Sequence, residues 1–306
     1  MMDPLEKLDL QWDTSLHLLG ELKRLGHETY SFTLPRIFLS SGRVKGRDSG
    51  IGKEWDLSEF DVVFIRKDPP FDSSYLALTY LLEPAAQKTV VINHPRGIRN
   101  ANEKLFGLRF PRWSPPTIVS ADPYEIIDFQ KQIRSPLVIK PLYEKGGRGV
   151  FLFNPHPHPL PSRGEGRVRG AALRRLKRAT RNGNFVVAQK FIPVPKGGGD
   201  KRILVWKGEI LGGFERIPPP GEFRSNLSLG GKFRECRITG EDKRLVRSLR
   251  PALLKEGLLF AGIDIRGGFL LEVNVTSPAG LVELDQLYGG ATQKMAEDLA
   301  GISQMG

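Results

Sequence analysis

Acids placed where a sheet needs apolar side chains constrain this chain more than any other feature. In the stretch Gly262-Ile-Asp-Ile-Arg-Gly-Gly-Phe-Leu-Leu-Glu-Val-Asn-Val-Thr-Ser-Pro278, Glu272 and Asn274 stand two apart in an apolar run, so on a strand they share one face. An ionised carboxylate against an apolar face is costly without a compensating cation. Mg2+ fits, because it accepts one or two carboxylates together with phosphate oxygens and water. Asp264 joins them from the preceding strand if the hairpin loop is three residues long, Gly267-Gly268-Phe269; a two-residue Gly267-Gly268 loop predicts that Asp264 and Glu272 face opposite ways. The alternative is an edge hairpin with a solvated polar face.

With 306 residues, 40% hydrophobic and 26% charged, the chain is long enough for two or three domains around sizeable cores. No stretch approaches a membrane span, and the start, Met1-Met2-Asp3-Pro4-Leu5-Glu6, has no basic-then-apolar leader, so a cytoplasmic location is expected. The single cysteine, Cys236, excludes an internal disulfide and a thiolate cluster, and its charged neighbours do not suit a nucleophile. The net charge of +12 raises nucleic acid as a partner, but much of it is concentrated in residues 163–181. That run has no aromatic platform for bases and no nucleic-acid motif, so small anionic substrates are the expected use of the charge.

Asp13 to Gly26 reads as a capped helix with a glycine stop. Asp61–Arg66 and Thr89–Asn93 read as buried strands with a helix from Tyr75 to Ala86 between them, which implies a parallel pair. A helix is expected to open at Asn100–Phe106, and the proline-rich 111–116 stretch marks a boundary. Beyond it the pattern predicts strand Thr117–Val119, helix Pro123–Ile133, strands Leu137–Lys140, Val150–Phe153 and Phe185–Ile192, a hairpin around Lys207-Gly208, and a helix from Glu241 to Glu256. The His/Pro/Gly-rich insert at 154–170 carries no pattern of a packed element, and its His156 and His158 read as solvent-exposed.

Lys140-Pro-Leu-Tyr-Glu-Lys-Gly-Gly-Arg-Gly149 lacks the Walker pattern and leads into no good helix, which excludes a P-loop. A glycine-rich hairpin after a lysine-bearing strand can still fold over phosphates, because backbone N–H groups approach closely where there is no Cβ. An ordinary hairpin turn and a snorkelling Lys140 are the alternatives.

Arg66-Lys-Asp-Pro-Pro-Phe-Asp72, Asn93-His-Pro95, Asn102-Glu-Lys-Leu-Phe106, Ile139-Lys-Pro-Leu142, Gly199-Asp-Lys-Arg202, Arg216-Ile-Pro218 and Glu272-Val-Asn-Val-Thr-Ser-Pro278 occur in one order and spacing. In these, and over nearly its whole length, the chain resembles the bacterial-type glutathione synthetases among the ATP-grasp carboxylate-amine ligases. The resemblance implies an α/β chain with an ATP-grasp fold behind an N-terminal parallel α/β (pre-ATP-grasp) domain. It divides the chain into a substrate-binding domain at 1–110, a central subdomain at 117–192 and a C-terminal subdomain at 193–306 with metal site and lid. It further implies ATP-dependent joining of γ-glutamylcysteine to glycine through an acyl phosphate, with Mg2+ or Mn2+, in a homo-oligomer.

Residue by residue, the resemblance assigns Lys104 and Lys140 to the nucleotide phosphates, Gly146 and Gly147 to the covering loop, and Gln189, Lys190, Phe191 and Ile192 to the adenine hinge. Asp200 is assigned to the ribose side. Arg202 and Arg216 would neutralise the transferring phosphoryl group, and Asp264, Glu272 and Asn274 would hold metal. Arg224 and Asn226, after a lid at Pro218–Gly221, would face the acyl phosphate, while Arg66, Thr276 and Ser277 would hold the dipeptide.

Departures from the family pattern are the insert, the prolines in the lid, Lys145 and Arg148 beside the loop glycines, and the start at Met1-Met2-Asp3-Pro4, where the family has an apolar strand first. The last leads to the expectation of a truncated N-terminus and a sheet short of one strand. Rival readings are another ATP-grasp ligase, making D-alanyl-D-alanine or adding glutamate to a protein tail, and a non-catalytic nucleotide or nucleic-acid binder using 163–181 as a basic arm. The Arg66–Asp72 motif argues against the other ligases.

Overall fold

Asp13 starts the first helix by accepting hydrogen bonds from the Ser15 and Leu16 amides, and α1 runs Thr14–Arg24 with Leu18 buried. The computed structural model describes residues 1–144, 146–154 and 165–303. After α1 comes an antiparallel meander, β1 (Ile37–Ser40), β2 (Arg43–Arg47) and β3 (Glu54–Asp56). Its strands are too short and too charged for their alternation to stand out in sequence. Next, β4 (Val62–Phe64) and β5 (Val90–Ile92) pair in parallel on either side of α2 (Ser73–Leu82), as the strand–helix–strand spacing predicts. A parallel bridge from Met2 to Arg66 lies beyond this pair, and beside it is a cavity of about 170 Å³ lined by Leu18, Leu22, Phe32 and Phe64 among others.

The helix expected from Asn100 does not form. Instead α3 (Pro95–Asn100) ends there, and the Asn102 Oδ1 accepts from the amides of Lys104 and Leu105. That local bond offers the backbone an alternative to helix, and it leaves Glu103 and Lys104 on a turn aimed at the later sheets.

The central unit comprises β6 (Thr117–Ser120), α4 (Pro123–Ile133), β7 (Leu137–Pro141), β8 (Phe151–Phe153), α5 (Glu165–Ala179) and β9 (Val186–Lys190), with strand order β6-β9-β7-β8 and antiparallel pairing throughout. Its core joins Ile126 of α4 and Leu176 of α5 to Ile139, Phe153 and Val186. Most of the basic run thus belongs to α5, which buries Leu176 while Arg174, Arg175, Lys177 and Arg178 stay exposed. Sequence reading treats residues 154–170 as unpacked; the start of α5 falls within that stretch, and His156 and His158 lie outside the described residues.

The C-terminal unit contains β10 (Asp200–Trp206), β11 (Glu209–Ile217), β12 (Lys232–Glu235), α6 (Gly240–Lys255), β13 (Phe260–Arg266), β14 (Phe269–Asn274), α7 (Leu281–Tyr288) and α8 (Ala291–Ser303). Its sheet has the order β12-β11-β10-β13-β14, with every residue of β13 buried. One cluster joins Ile203 and Ile263 to Leu245 and Leu249 of α6 and to Tyr75 and Leu78 of α2; a second joins Leu204, Trp206 and Phe214 to α1, α7 and α8. The N-terminal strands and the C-terminal sheet therefore share cores, and buried Asn93 fixes their relative height. Its Nδ2 donates to the carbonyls of Phe260 and Val275, and its Oδ1 accepts from the Phe260 amide.

Replacing Asn93 by Leu removes all three bonds from a dry site. Each buried group left unpaired costs about 1–3 kcal/mol, so urea denaturation of Asn93→Leu should show a loss of at least about 2 kcal/mol. An unchanged midpoint would mean that the two units are aligned by apolar packing alone.

Candidate active site

A cavity of about 240 Å³ opens between the central sheet and the C-terminal sheet. Strand alternation supplies its floor: Asp200 and Arg202 on β10, Asp264 and Arg266 on β13, and Glu272 and Asn274 on β14 all line it, while Ile203, Ile263 and Val273 turn into the core. The hairpin joining β13 to β14 reaches this arrangement by a route other than the three-residue loop. Arg266 pairs with Phe269, so the loop is the two residues Gly267-Gly268, and alone it would set Asp264 and Glu272 on opposite faces. Ile265 pairs with Leu270 but Asp264 pairs with Glu272, so Leu271 is an extra residue on β14. This bulge restores the shared face.

On that face the charges are matched in detail. Arg202 donates to both carboxylate oxygens of Asp264, at 2.5 and 3.0 Å, and to the Ala279 carbonyl at 3.1 Å. Arg216, opposite Asp200 across β10 and β11, donates to Asp200 at 2.8 Å and lies 3.1 Å from Asp264. Lys140, at the end of β7, lies 3.3 Å from the Glu272 carboxylate and bridges the two sheets. Asp200, Arg216 and Asp264 are all buried. Burial alone would raise the pKa of Asp264, yet the two guanidiniums outweigh it and hold the carboxyl at about 2. For Asp200 burial dominates, opposed by Arg216 and reinforced by Asp264, and its pKa is raised. Burial works against the Arg216 charge, but the two carboxylates raise its pKa overall.

The walls come from the central unit and from the segment 223–226. Lys104 donates to the carbonyls of Leu142 and Glu144, which ties the Asn102 turn to the root of the glycine loop. Gly147 lies at φ 74°, and a Cβ there would approach Asn226 Oδ1 to 2.9 Å, so only glycine lets the loop meet the segment at Asn226. Arg224 completes that contact by donating to the Gly147 carbonyl at 2.8 Å and to Glu222 at 2.5 Å. Hydrogen bonding from Arg224 is the largest influence on Glu222 and holds its carboxyl at about 2. Gln189, Lys190, Phe191 and Ile192 form one end wall, Gln189 being fixed by a bond to Thr117.

The expected site residues thus converge on this cavity, with one exception. Arg66 is buried between the rings of Phe64 and Phe260, donates to Ser15 Oγ and to the Pro278 carbonyl, and lines the second cavity instead. It braces the Thr276–Pro278 segment from behind rather than lining the main cavity. Thr276 and Ser277 do line the main cavity, and Thr276 is pinned through its amide and hydroxyl by Glu103. Glu103 and Asp68 belong to motifs visible in the sequence, but a motif does not say which member turns inward. Phe223 carries no periodic signal, whereas Arg266 stands two residues beyond Asp264 and shares its strand face. Lys145 lies outside the described residues.

For a divalent metal the donor set fits. Asp264, Glu272 and Asn274 present oxygen ligands from paired strands, and the Asn274 Nδ2 is committed to Gly262 O and Asp264 Oδ2, which leaves its Oδ1 to face a cation. Among the described residues no group of three or more His, Cys, Asp or Glu side chains forms a metal cluster. Two carboxylates and an amide suit an ion that takes its remaining ligands from phosphate and water.

Known proteins show which family the chain resembles over its length. The model for the N-terminal domain of prokaryotic glutathione synthetase matches residues 1–99, and that for the ATP-grasp domain of prokaryotic glutathione synthetase matches residues 103–289. The chain is 34% identical to glutathione synthetase of Mesorhizobium japonicum, over 95% of this chain and 93% of the relative, and 36% identical to that of Coxiella burnetii, over 94% and 91%. In solved structures the fold is similar to D-cycloserine synthetase DcsG (TM-score 0.67, 17% identity, 97% of this chain and 98% of that one) and to the ATP-grasp ligase PsnB in complex with precursor peptide and AMPPNP (TM-score 0.64, 17% identity, 99% and 95%).

The buried charge network should be fragile to the loss of one member. Arg216→Met leaves Asp200 and one side of Asp264 without a guanidinium, and breaking a buried pair in this way costs about 3–5 kcal/mol. Gly199→Ala places a Cβ 1.7 Å from the Arg216 carbonyl and must push β11 aside, at about 1–3 kcal/mol. Chemical denaturation checks both; a native-like Arg216→Met would show that the carboxylates are solvated rather than paired.

Proposed function

The chain belongs to the prokaryotic glutathione synthetase family, and on that premise we propose how its cavity carries out the ligation. The protein is an ATP-dependent ligase that makes glutathione by forming a peptide bond, on an ATP-grasp fold with an N-terminal domain. The substrates are γ-glutamylcysteine and glycine, and the metal is Mg2+. The observation that carries the site assignment is the row of matched charges, Arg216 with Asp200, Arg202 with Asp264 and Lys140 with Glu272, beneath a glycine loop already touching the lid.

A carboxylate is a poor electrophile. The cysteinyl carboxylate of the dipeptide first takes the γ-phosphoryl of ATP, and the glycine amine then displaces phosphate from the acyl phosphate. No protein nucleophile is required, so the side chains supply position and charge. Lys104 and Lys140 hold phosphates, Arg202 and Arg216 face the transferring group, and Arg224 with Asn226 closes over it. Thr276 and Ser277 orient the dipeptide. Asp264, Glu272 and Asn274 would hold Mg2+, which would neutralise phosphate charge. Water is kept out by the contact of the glycine loop with the lid, because the acyl phosphate would otherwise hydrolyse. We infer a cytoplasmic enzyme, since the thiol-bearing dipeptide and ATP coexist in a reducing compartment. No described helix is long and apolar enough to cross a membrane.

Incubation with ATP, Mg2+, γ-glutamylcysteine and glycine, with each omitted in turn, should give ADP and glutathione by mass only in the complete mixture. Product from another amino acid or dipeptide at higher kcat/KM would sink the substrate assignment. Arg202→Met should lower kcat by roughly 10²–10³-fold, the usual effect of removing one preorganised donor, and Glu272→Gln should raise the Mg2+ concentration needed for half-maximal rate. A fully active Arg202→Met would remove this arginine from the phosphoryl site.

A further inference from the structure

Arg266 has no part in the chemistry above, yet it lines the same cavity and is buried. Its position at the end of β13 sets it two residues beyond Asp264, on the same face. Its Nε donates to the Ile192 carbonyl at 2.9 Å, and its Nη1 donates to the Phe223 carbonyl at 3.0 Å. The guanidinium carbon lies over the Phe191 ring, 5.6 Å from its centroid, and the rings of Phe191 and Phe223 meet edge to face at 6.2 Å. One cation thus joins three segments distant in sequence: the end of the hinge, the root of the lid and the metal hairpin.

That placement is expensive unless it does something. A buried cation is ordinarily matched by a carboxylate; Asp200 acts on Arg266 through its charge, but the hydrogen bonds of Arg266 go to two main-chain carbonyls. Such carbonyls stabilise the charge less than an acid would, but they fix backbone positions. A guanidinium suits this task because its planar fork holds two acceptors at a set spacing, which a lysine ammonium does not.

We propose that Arg266 is a positioning residue that clamps the nucleotide hinge at Ile192 to the lid at Phe223, coupling ATP binding to closure of the site over the acyl phosphate. The inference rests on the ligase reading of this cavity. When the clamp is cut, the hinge and the lid root lose their fixed spacing, so nucleotide affinity falls and water reaches the intermediate.

The test compares wild type, Arg266→Lys and Arg266→Met. Binding of a non-hydrolysable ATP analogue with Mg2+ is measured by calorimetry, and the ratio of ADP to glutathione is measured at saturating substrates. Loss of hydrogen bonds from a charged donor predicts about 10- to 100-fold weaker binding in Arg266→Met. Its ADP to glutathione ratio should rise clearly above one, its KM for γ-glutamylcysteine should stay within about twofold, and Arg266→Lys should fall between the two. A merely structural role would lower the melting temperature and raise every KM together while the ratio stays at one; that result, or unchanged affinity and ratio, overturns the proposal. A wild-type protein that binds nucleotide but makes no glutathione overturns the ligase reading instead, and the affinity ratio then decides the clamp by itself.

Discussion

Asp264 is the residue on which the site is assembled. It lies in the middle of a strand with no exposed residue, receives two bonds from Arg202 and one contact from Arg216, and accepts from Asn274. A carboxylate so placed is tolerable only when its cations are held in register, and register is a property of the whole sheet. Pairing of Arg202 with Asp264 across β10 and β13, of Asp200 with Arg216 across β10 and β11, and of Asp264 with Glu272 across the bulge puts the interacting groups side by side. The apolar side chains between them then have no choice but the opposite face. Chemistry and core are two readings of the same alternation.

The bulge at Leu271 shows how little separates a working site from a scrambled one. A two-residue glycine turn is the compact way to close the hairpin, and it sets the wrong parity for the two acids. One additional residue on β14 corrects the parity and leaves the turn intact. Glu272 thereby meets Lys140 from the other sheet, so a local irregularity determines how the two sheets face each other.

Much of this was legible in the sequence, for identifiable reasons. Helices with a capping acid and a glycine stop, such as α1, and strands bounded by turns, such as β10 and β11, carry their own punctuation. The parity of the metal hairpin was not legible, because a bulge depends on what the strand pairs with rather than on its composition. The break after Asn100 was hidden because Asn102 favours a turn only when its side chain finds the amides of Lys104 and Leu105. Arg66 illustrates the other limit: a motif marks a place in the fold, but not whether a side chain lines the cavity or supports the turn behind it. Arg266, beside a glycine turn, shares the parity of Asp264 in sequence, but the two distant carbonyls it reaches are visible only in the fold.

Within the site three cations are paired with three carboxylates, Lys140 with Glu272, Arg202 with Asp264 and Arg216 with Asp200. Mg2+ and ATP cannot simply be added to it. A metal held by Asp264 and Glu272 would compete with Arg202 and Lys140 for the same carboxylates, and on the proposed reading those cations would then be free to meet phosphate. The anion would supply partners for the same groups that the metal would free, so each ligand would favour the binding of the other. Such an exchange would keep the paired charges balanced, and it gives a physical reason for metal and nucleotide to bind as one unit.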